Sequence, residues 1–192
     1  MPIGQSKRPV ASAQMEGVAH ELLDASTLCA VATVGPGGRA HVNTAYFAWS
    51  PELELVWLSE PRATHSRNVR ANPSVAIAVY ESDQSWGKPD RGIQLFGRAH
   101  EATRAEAVHA ERLYAGRFPE CADIELRAYR FYVFRARRIK LFDERTLGTG
   151  TFVTAVVAAG GRLRWLRTEV YDAGGVTSPS RDTPSRRTAS SR

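Results

Sequence analysis

Cysteine is scarce in this sequence: Cys29 and Cys121 are its only two in 192 residues, and they stand far apart. That excludes a disulfide framework and the close pairs of a structural zinc site, and leaves two small thiols suited to burial. No window reaches the 18 apolar residues of a membrane-spanning helix. The opening "MPIGQSKRPVASAQMEG" carries positive charge without the apolar run of a signal peptide, so a cytoplasmic location with no membrane partner is expected. The G-x-S-x-G word of a nucleophile elbow is absent. The five histidines, His20, His41, His65, His100 and His109, show no paired spacing with carboxylates or cysteines, so no metal site is expected. Strand-helix-strand alternation does not recur, which removes the context for a dinucleotide or P-loop site; the one glycine-rich word, "GPGG" at 35–38, joins two alternating strands and reads as a hairpin turn.

The chain has a formal charge of +6. Residues 173–192 carry +3 of it and residues 1–8 carry +2, leaving +1 for residues 9–172. A near-neutral middle argues against nucleic acid as a partner, because duplex binding needs several cations converging on one face. The run "RARRIK" at 135–140 sits in a strand pattern, where its charges fall on the solvated side or at a bend.

A short helix is expected around "EGVAHELLDAS", with Val18, Leu22 and Leu23 on one face. Strands follow at 28–34, 39–49 and 53–58 as an antiparallel meander, then at 74–80 and 92–100, where Gly97 marks a bulge or bend. Residues 103–115 form a second helix with Ala107, Val108 and Leu113 available for burial. The segment "YRFYVFRARRIKLFDE" gives two strands or one bent strand with Phe131, Val133, Ile139 and Leu141 on one face, and a last hairpin turns at Gly160 and Gly161. Residues 1–15 are expected to be flexible, 16–172 to fold as one domain, and 173–192 to be a disordered basic tail. The fold class is mainly β with added helices (α+β), a small barrel of six to eight mostly antiparallel strands with two or three peripheral helices.

The stretch "RATHSRNVRANP" at 62–73 holds three arginines, a histidine, two hydroxyls and two asparagines. It should turn and start a short helix with Thr64 or Ser66 as N-cap, halted at Asn72 before Pro73. Free N–H groups at such a helix start, with Arg62, His65 and Arg67 in reach, suit a phosphate monoester. A capped surface helix with solvated arginines accounts for the same residues.

The words "STLCAVATVGPGGRAHVNTAYF", "LSEPRATHSRNVRANPSVAIAVY" and "WGKPDRGIQLFGRAHEAT", in that order, resemble the pyridoxamine 5′-phosphate oxidase-like superfamily of FMN-binding split β-barrels over roughly residues 16–155. "LYAGRFPE" and "IKLFDERTLGTG" are more narrowly similar to its YhbP-like branch. The resemblance implies a split barrel and a homodimer with FMN at the subunit interface. It implies that Ser59, Arg62, Thr64, His65, Ser66 and Arg67 surround the FMN phosphate. Asn43, Tyr46 and Phe47 would lie beside the isoalloxazine and Gln94 would approach from a neighbouring strand, with Trp86 and residues 147–150 supplied across the dimer. His65 stands where that family often has lysine, which implies weaker and pH-sensitive phosphate binding. The C-terminal end lacks the arginine and histidine word that grips the substrate in the true oxidases, so pyridoxamine phosphate oxidation is not implied. The expected function is FMN-dependent oxidation or reduction of an unidentified small molecule. The alternative is a non-catalytic flavin, F420 or haem binding protein. No residue is assigned as catalytic; Tyr46, His41 and His65 are candidates by position only.

Overall fold

The computed structural model describes residues 3–6, 9–81, 83–123 and 128–171. The tail expected to be disordered, 173–192, lies outside them. The meander is present: β2 (Leu28–Val34), β3 (Ala40–Trp49) and β4 (Glu54–Ser59) follow β1 (Ile3–Ser6) and pair antiparallel in sequence order. Its first turn is the "GPGG" word, where Gly37 and Gly38 take φ of 71° and 76°, values that favour glycine.

Helix α2 (Thr64–Ala71) leads into β5 (Ser74–Tyr80), which pairs with β2 and with β6 (Arg91–Glu101). The 14-residue β7 (Arg130–Asp143) then closes the barrel. It pairs with β4 through Glu54↔Arg135 to Ser59↔Arg130, and with β6 from Arg91↔Asp143 to Glu101↔Tyr132. Six strands, β2 to β7, therefore form a ring, and β8 (Thr151–Val157) and β9 (Leu163–Tyr171) extend it from β7. This is the split barrel that the sequence implies, with β1 as an added edge. Residues 1–15 were expected to be flexible, yet Ile3–Ser6 pairs with β9 and helix α1 (Ser12–Ala25) begins before residue 16.

Burial follows from the periods of these elements. Helix α1 sends Met15, Val18, Ala19, Leu22 and Leu23 into the barrel core, beside the inward residues of the strands. Trp57 and Tyr132, cross-strand partners on β4 and β7, stack there at 5.6 Å and are both fully buried. Helix α3 (Arg104–Arg117) starts at a capping box of Thr103 and Glu106 and covers the outside of β3, β4 and β7. Its buried residues are Ala110 and Tyr114, which meet Ala48, Val56 and Val133. Val108, expected inside, is 59 % exposed, because the helix contacts the sheet through the face centred on Ala110.

The expected bulge occurs at Gly97. Phe96 pairs with Arg138 and Gly97 with Ala136, so Arg137 is an extra residue on β7. A Cβ at Gly97 would lie 2.1 Å from the Arg135 carbonyl oxygen, so only glycine allows the strands to approach this closely. The extra residue shifts the inward parity of β7 from Tyr132 and Phe134 to Ile139 and Leu141, while Val133 packs outside under α3. The expectation that Val133, Ile139 and Leu141 share one face therefore fails at the bulge. Helix α4 (Glu144–Leu147) is a single turn after β7.

Candidate functional site at the start of α2

Strand β4 delivers Ser59 to the barrel rim, a turn closes with Ala63 N–H donating to the Glu60 carbonyl at 3.0 Å, and α2 begins. The N-cap is Ala63, not Thr64 or Ser66 as expected, and no side chain caps the helix. The first-turn N–H groups of Thr64, His65 and Ser66 are left without an intrahelical acceptor, and the turn holds no acidic residue. At the other end Asn72 halts the helix as expected. Its N–H donates to the Asn68 carbonyl at 2.7 Å and its side-chain oxygen accepts from Ser74 N–H at 3.1 Å.

Beneath this start lies a compact polar group. Ser59, His65 and Ser66 are all buried. Ser66 Oγ donates to Ser59 Oγ at 3.2 Å, and Ser59 Oγ lies 2.6 Å from His65 Nε2. With Ser66 donating, the Ser59 proton points to Nε2 and the proton of a neutral His65 is placed on Nδ1. His41, from the inner face of β3, stacks on His65 with ring centroids 6.3 Å apart. Burial, and then the charge of His41, hold the His65 pKa below its ordinary 6.5, so the imidazole is neutral at pH 7. Asn68 fixes the helix to β2 by donating to Thr33 Oγ1 at 3.1 Å.

Three side chains border this group from the solvent side: Arg62, Thr64 and Arg67 are exposed. Arg67 Nη1 donates to the Arg62 carbonyl at 2.8 Å and so holds both ends of the turn together. Arg70 is engaged elsewhere, with the Pro61 carbonyl at 2.6 Å and Glu101 at 3.2 Å. Beside the cluster the barrel is split. β4 pairs with β3 only from Phe47↔Trp57 to Trp49↔Leu55, so residues 40–46 of β3 pair with β2 alone.

The other expected site residues separate by strand parity. Asn43 is half-buried on the His41 face of β3, with its Nδ2 donating to the Thr44 carbonyl at 2.8 Å. Tyr46, on the opposite face, is 56 % exposed. Phe47 is fully buried in the core, with the Arg117 guanidinium 4.7 Å from its ring centroid, and has no surface left for a ligand. Consecutive strand residues face opposite ways, so Tyr46 and Phe47 cannot both flank one ring. Gln94 lies on the outer face of β6, in a shallow cavity of about 340 Å³ with Ala30, Ala32, Val42 and Phe96. Trp86 is fully exposed in the loop before β6. In the 147–150 segment Gly150 N–H donates to Glu144 Oε1 at 2.7 Å. Thr33 and Asn68 were not foreseen; the alternation of "LCAVATV" puts Thr33 on the inner face with Val31 and Cys29, the only sequence signal for either.

The start of α2 thus brings together first-turn N–H groups without an intrahelical acceptor, the hydroxyls of Ser59, Thr64 and Ser66 and the arginines Arg62 and Arg67, with no acidic residue in the first turn of the helix. The family model for pyridoxamine 5′-phosphate oxidase matches residues 15–142, from α1 to the end of β7. The chain belongs to the pyridoxamine 5′-phosphate oxidase family. The matched span includes every residue of the α2 cluster. No curated protein matches the chain. Solved structures share the fold of this family member. A heme binding protein from Mycobacterium smegmatis is 15 % identical with a TM-score of 0.57, and 90 % of this chain covers 93 % of it. HutZ, the heme storage protein of Vibrio cholerae, is 22 % identical with a TM-score of 0.54, at 62 % and 87 % coverage. An FAD-binding protein from Mesorhizobium loti is 19 % identical with a TM-score of 0.53, at 71 % and 95 % coverage. Among the described residues no helix is long and apolar enough to cross a membrane, and no group of three metal-ligating side chains occurs.

Proposed function

We propose that this protein is an FMN-dependent oxidoreductase acting on a small molecule, as a homodimer with the flavin between subunits. The observation that carries the reading is the uncapped start of α2, bordered by Thr64, Arg62 and Arg67 and backed by Ser59, Ser66 and His65. The donor set fits the phosphate of FMN: N–H groups and hydroxyls donate to its oxygens and guanidiniums balance its charge. FMN, when bound, supplies hydride acceptance and donation. The chain's own part is to hold the phosphate at α2 and to present the open edge of β3, with Asn43, to the rest of the cofactor. Leu28, Val42, Tyr46 and Tyr80 are large apolar residues between 44 % and 63 % exposed on the outer face of β2, β3 and β5. They provide the apolar area that a second copy would cover.

Titration of the purified protein into FMN should quench flavin fluorescence saturably, with mass spectrometry showing FMN in the native complex; protein that leaves FMN fluorescence unchanged sinks the reading. A second reading, haem binding, draws on the adjacent imidazoles of His41 and His65 and would appear instead as a Soret band on haem addition. FMN affinity is also expected to rise as pH falls from 8 to 6.5, by at most about tenfold per pH unit. The sign follows from His65: it is neutral in the free protein and takes up a proton when a phosphate dianion binds beside it, so lower pH favours the complex. His65→Gln should flatten this dependence; a slope that survives the substitution assigns it to another group.

A further inference from the structure

The bulge at Gly97 gathers a second group of cations, other than those of α2. Because Arg137 is the extra residue of β7, Arg137 and Arg138 both reach solvent instead of alternating. They line one cavity of about 310 Å³ with Arg98, Ser74, Phe96 and Gly97. No carboxylate lines it, and none of its three arginines has an acidic partner among the described residues. Arg138 is held over the Phe96 ring, its guanidinium carbon 5.0 Å from the centroid, which leaves its N–H edges free for a ligand.

The neighbouring cations differ. Arg135, the cross-strand partner of Arg98, is neutralised by Glu54 at 2.9 Å and Glu106 at 2.8 Å. On the other side Lys140 pairs with Glu169 at 3.1 Å, and Arg167 joins the same carboxylate at 3.4 Å. The three arginines that line the depression therefore stay unpaired between neighbours that are neutralised along the strand and across the sheet. Arg164 follows Arg138 across Val156, two strand spacings or about 9.6 Å away, and lies outside the cavity lining.

We propose that Arg98, Arg137 and Arg138, with the Ser74 hydroxyl, form a binding site for the diphosphate group of a small molecule. A phosphate monoester carries at most about two negative charges, whereas three guanidiniums match a diphosphate, each able to donate to two oxygens at once. The site is separate from the FMN reading and stands without it.

The test is an NMR titration of the full chain with sodium pyrophosphate at constant ionic strength, read at the backbone amides of Gly97, Arg98 and Arg138. Saturable shifts are expected there. In Arg137→Gln and Arg138→Gln affinity should fall by about three- to tenfold each, in line with the loss of one exposed charge-assisted contact. The amides of His65 and Ser66 report the α2 cluster in the same spectra, so anion binding there is read separately. Non-saturating shifts at Gly97, Arg98 and Arg138, or unchanged affinity in both variants, would overturn the proposal. Retention of a duplex oligonucleotide on this face that pyrophosphate does not displace would overturn it in favour of nucleic acid. Both replaced side chains are exposed, so the variants fold, as unchanged circular dichroism would show.

Discussion

Asp143→Ala should lower stability by about 3 kcal/mol, the low end for removing one partner of a buried ion pair, and depress the melting temperature by roughly 6–12 °C. Asp143 is fully buried and Arg91, its cross-strand partner, is 4 % exposed. Asp143 Oδ2 accepts from Arg91 Nε and Nη2, both at 2.9 Å. Oδ1 accepts from the N–H groups of Arg145 and Thr146 at 3.0 and 3.1 Å and so caps α4. Burial works against the Arg91 charge, but Glu21 and Asp143 outweigh it and raise the guanidinium above its ordinary pKa. Removing Asp143 would take away the one fully buried partner of Arg91, leaving Glu21 and Glu81, the latter at 3.2 Å, and would uncap the turn that leads to β8. Glu21 is 61 % exposed, so Glu21→Ala should cost under about 1 kcal/mol. The double variant Arg91→Met/Asp143→Leu should recover only part of the loss: the desolvation of both charges disappears with them, but α4 stays uncapped and Glu81 loses its partner. Urea unfolding separates these outcomes: equal losses for Asp143→Ala and Glu21→Ala would show that water reaches Arg91 and that the pair is not buried in solution.

The barrel was legible because each strand carries its own period and its own turn. "LCAVATV", "GPGG" and "LELVWL" give the meander without reference to anything distant, and Gly97 announces the bulge because an isolated glycine in a strand marks close backbone approach. What escaped was tertiary. Val108 has the composition of a buried helical residue, but α3 meets the sheet along the face of Ala110 and Tyr114, a choice made by where β7 turns beneath it. The strand at Ile3–Ser6 has four residues and pairs only because β9 offers an edge, so no local signal announces it. At the site, Ser59 to Arg67 form one contiguous word, and a strand end and the helix turn after it stay together. The residues of the 43–47 word do not share one face. Strand alternation puts Asn43 on the inner face, Tyr46 outside and Phe47 in the core, and adjacency in sequence gives separation across the sheet.

Arg67→Ala and Thr64→Ala should each weaken FMN binding by about ten- to a hundredfold. Both side chains are exposed at the uncapped start of α2, where a phosphate would meet the free N–H groups of the first turn. Thr64 contributes one hydroxyl donor. Arg67 contributes charge and, through its 2.8 Å bond to the Arg62 carbonyl, the geometry of the turn that presents Arg62. Its loss should therefore be the larger, and Arg67→Lys should restore only part of it, because lysine keeps the charge without the planar fork. Riboflavin, which has the same ring and no phosphate, is the control. Its affinity should be the same for the wild type and both variants if the effect lies at the phosphate, and the difference between FMN and riboflavin should narrow in each variant. Raising salt should weaken FMN binding to the wild type more steeply than to Arg67→Ala, since the variant has one cation fewer to screen. FMN affinity unchanged in both variants would remove the phosphate from α2. An equal loss for FMN and riboflavin would instead place the damage in the fold of the turn.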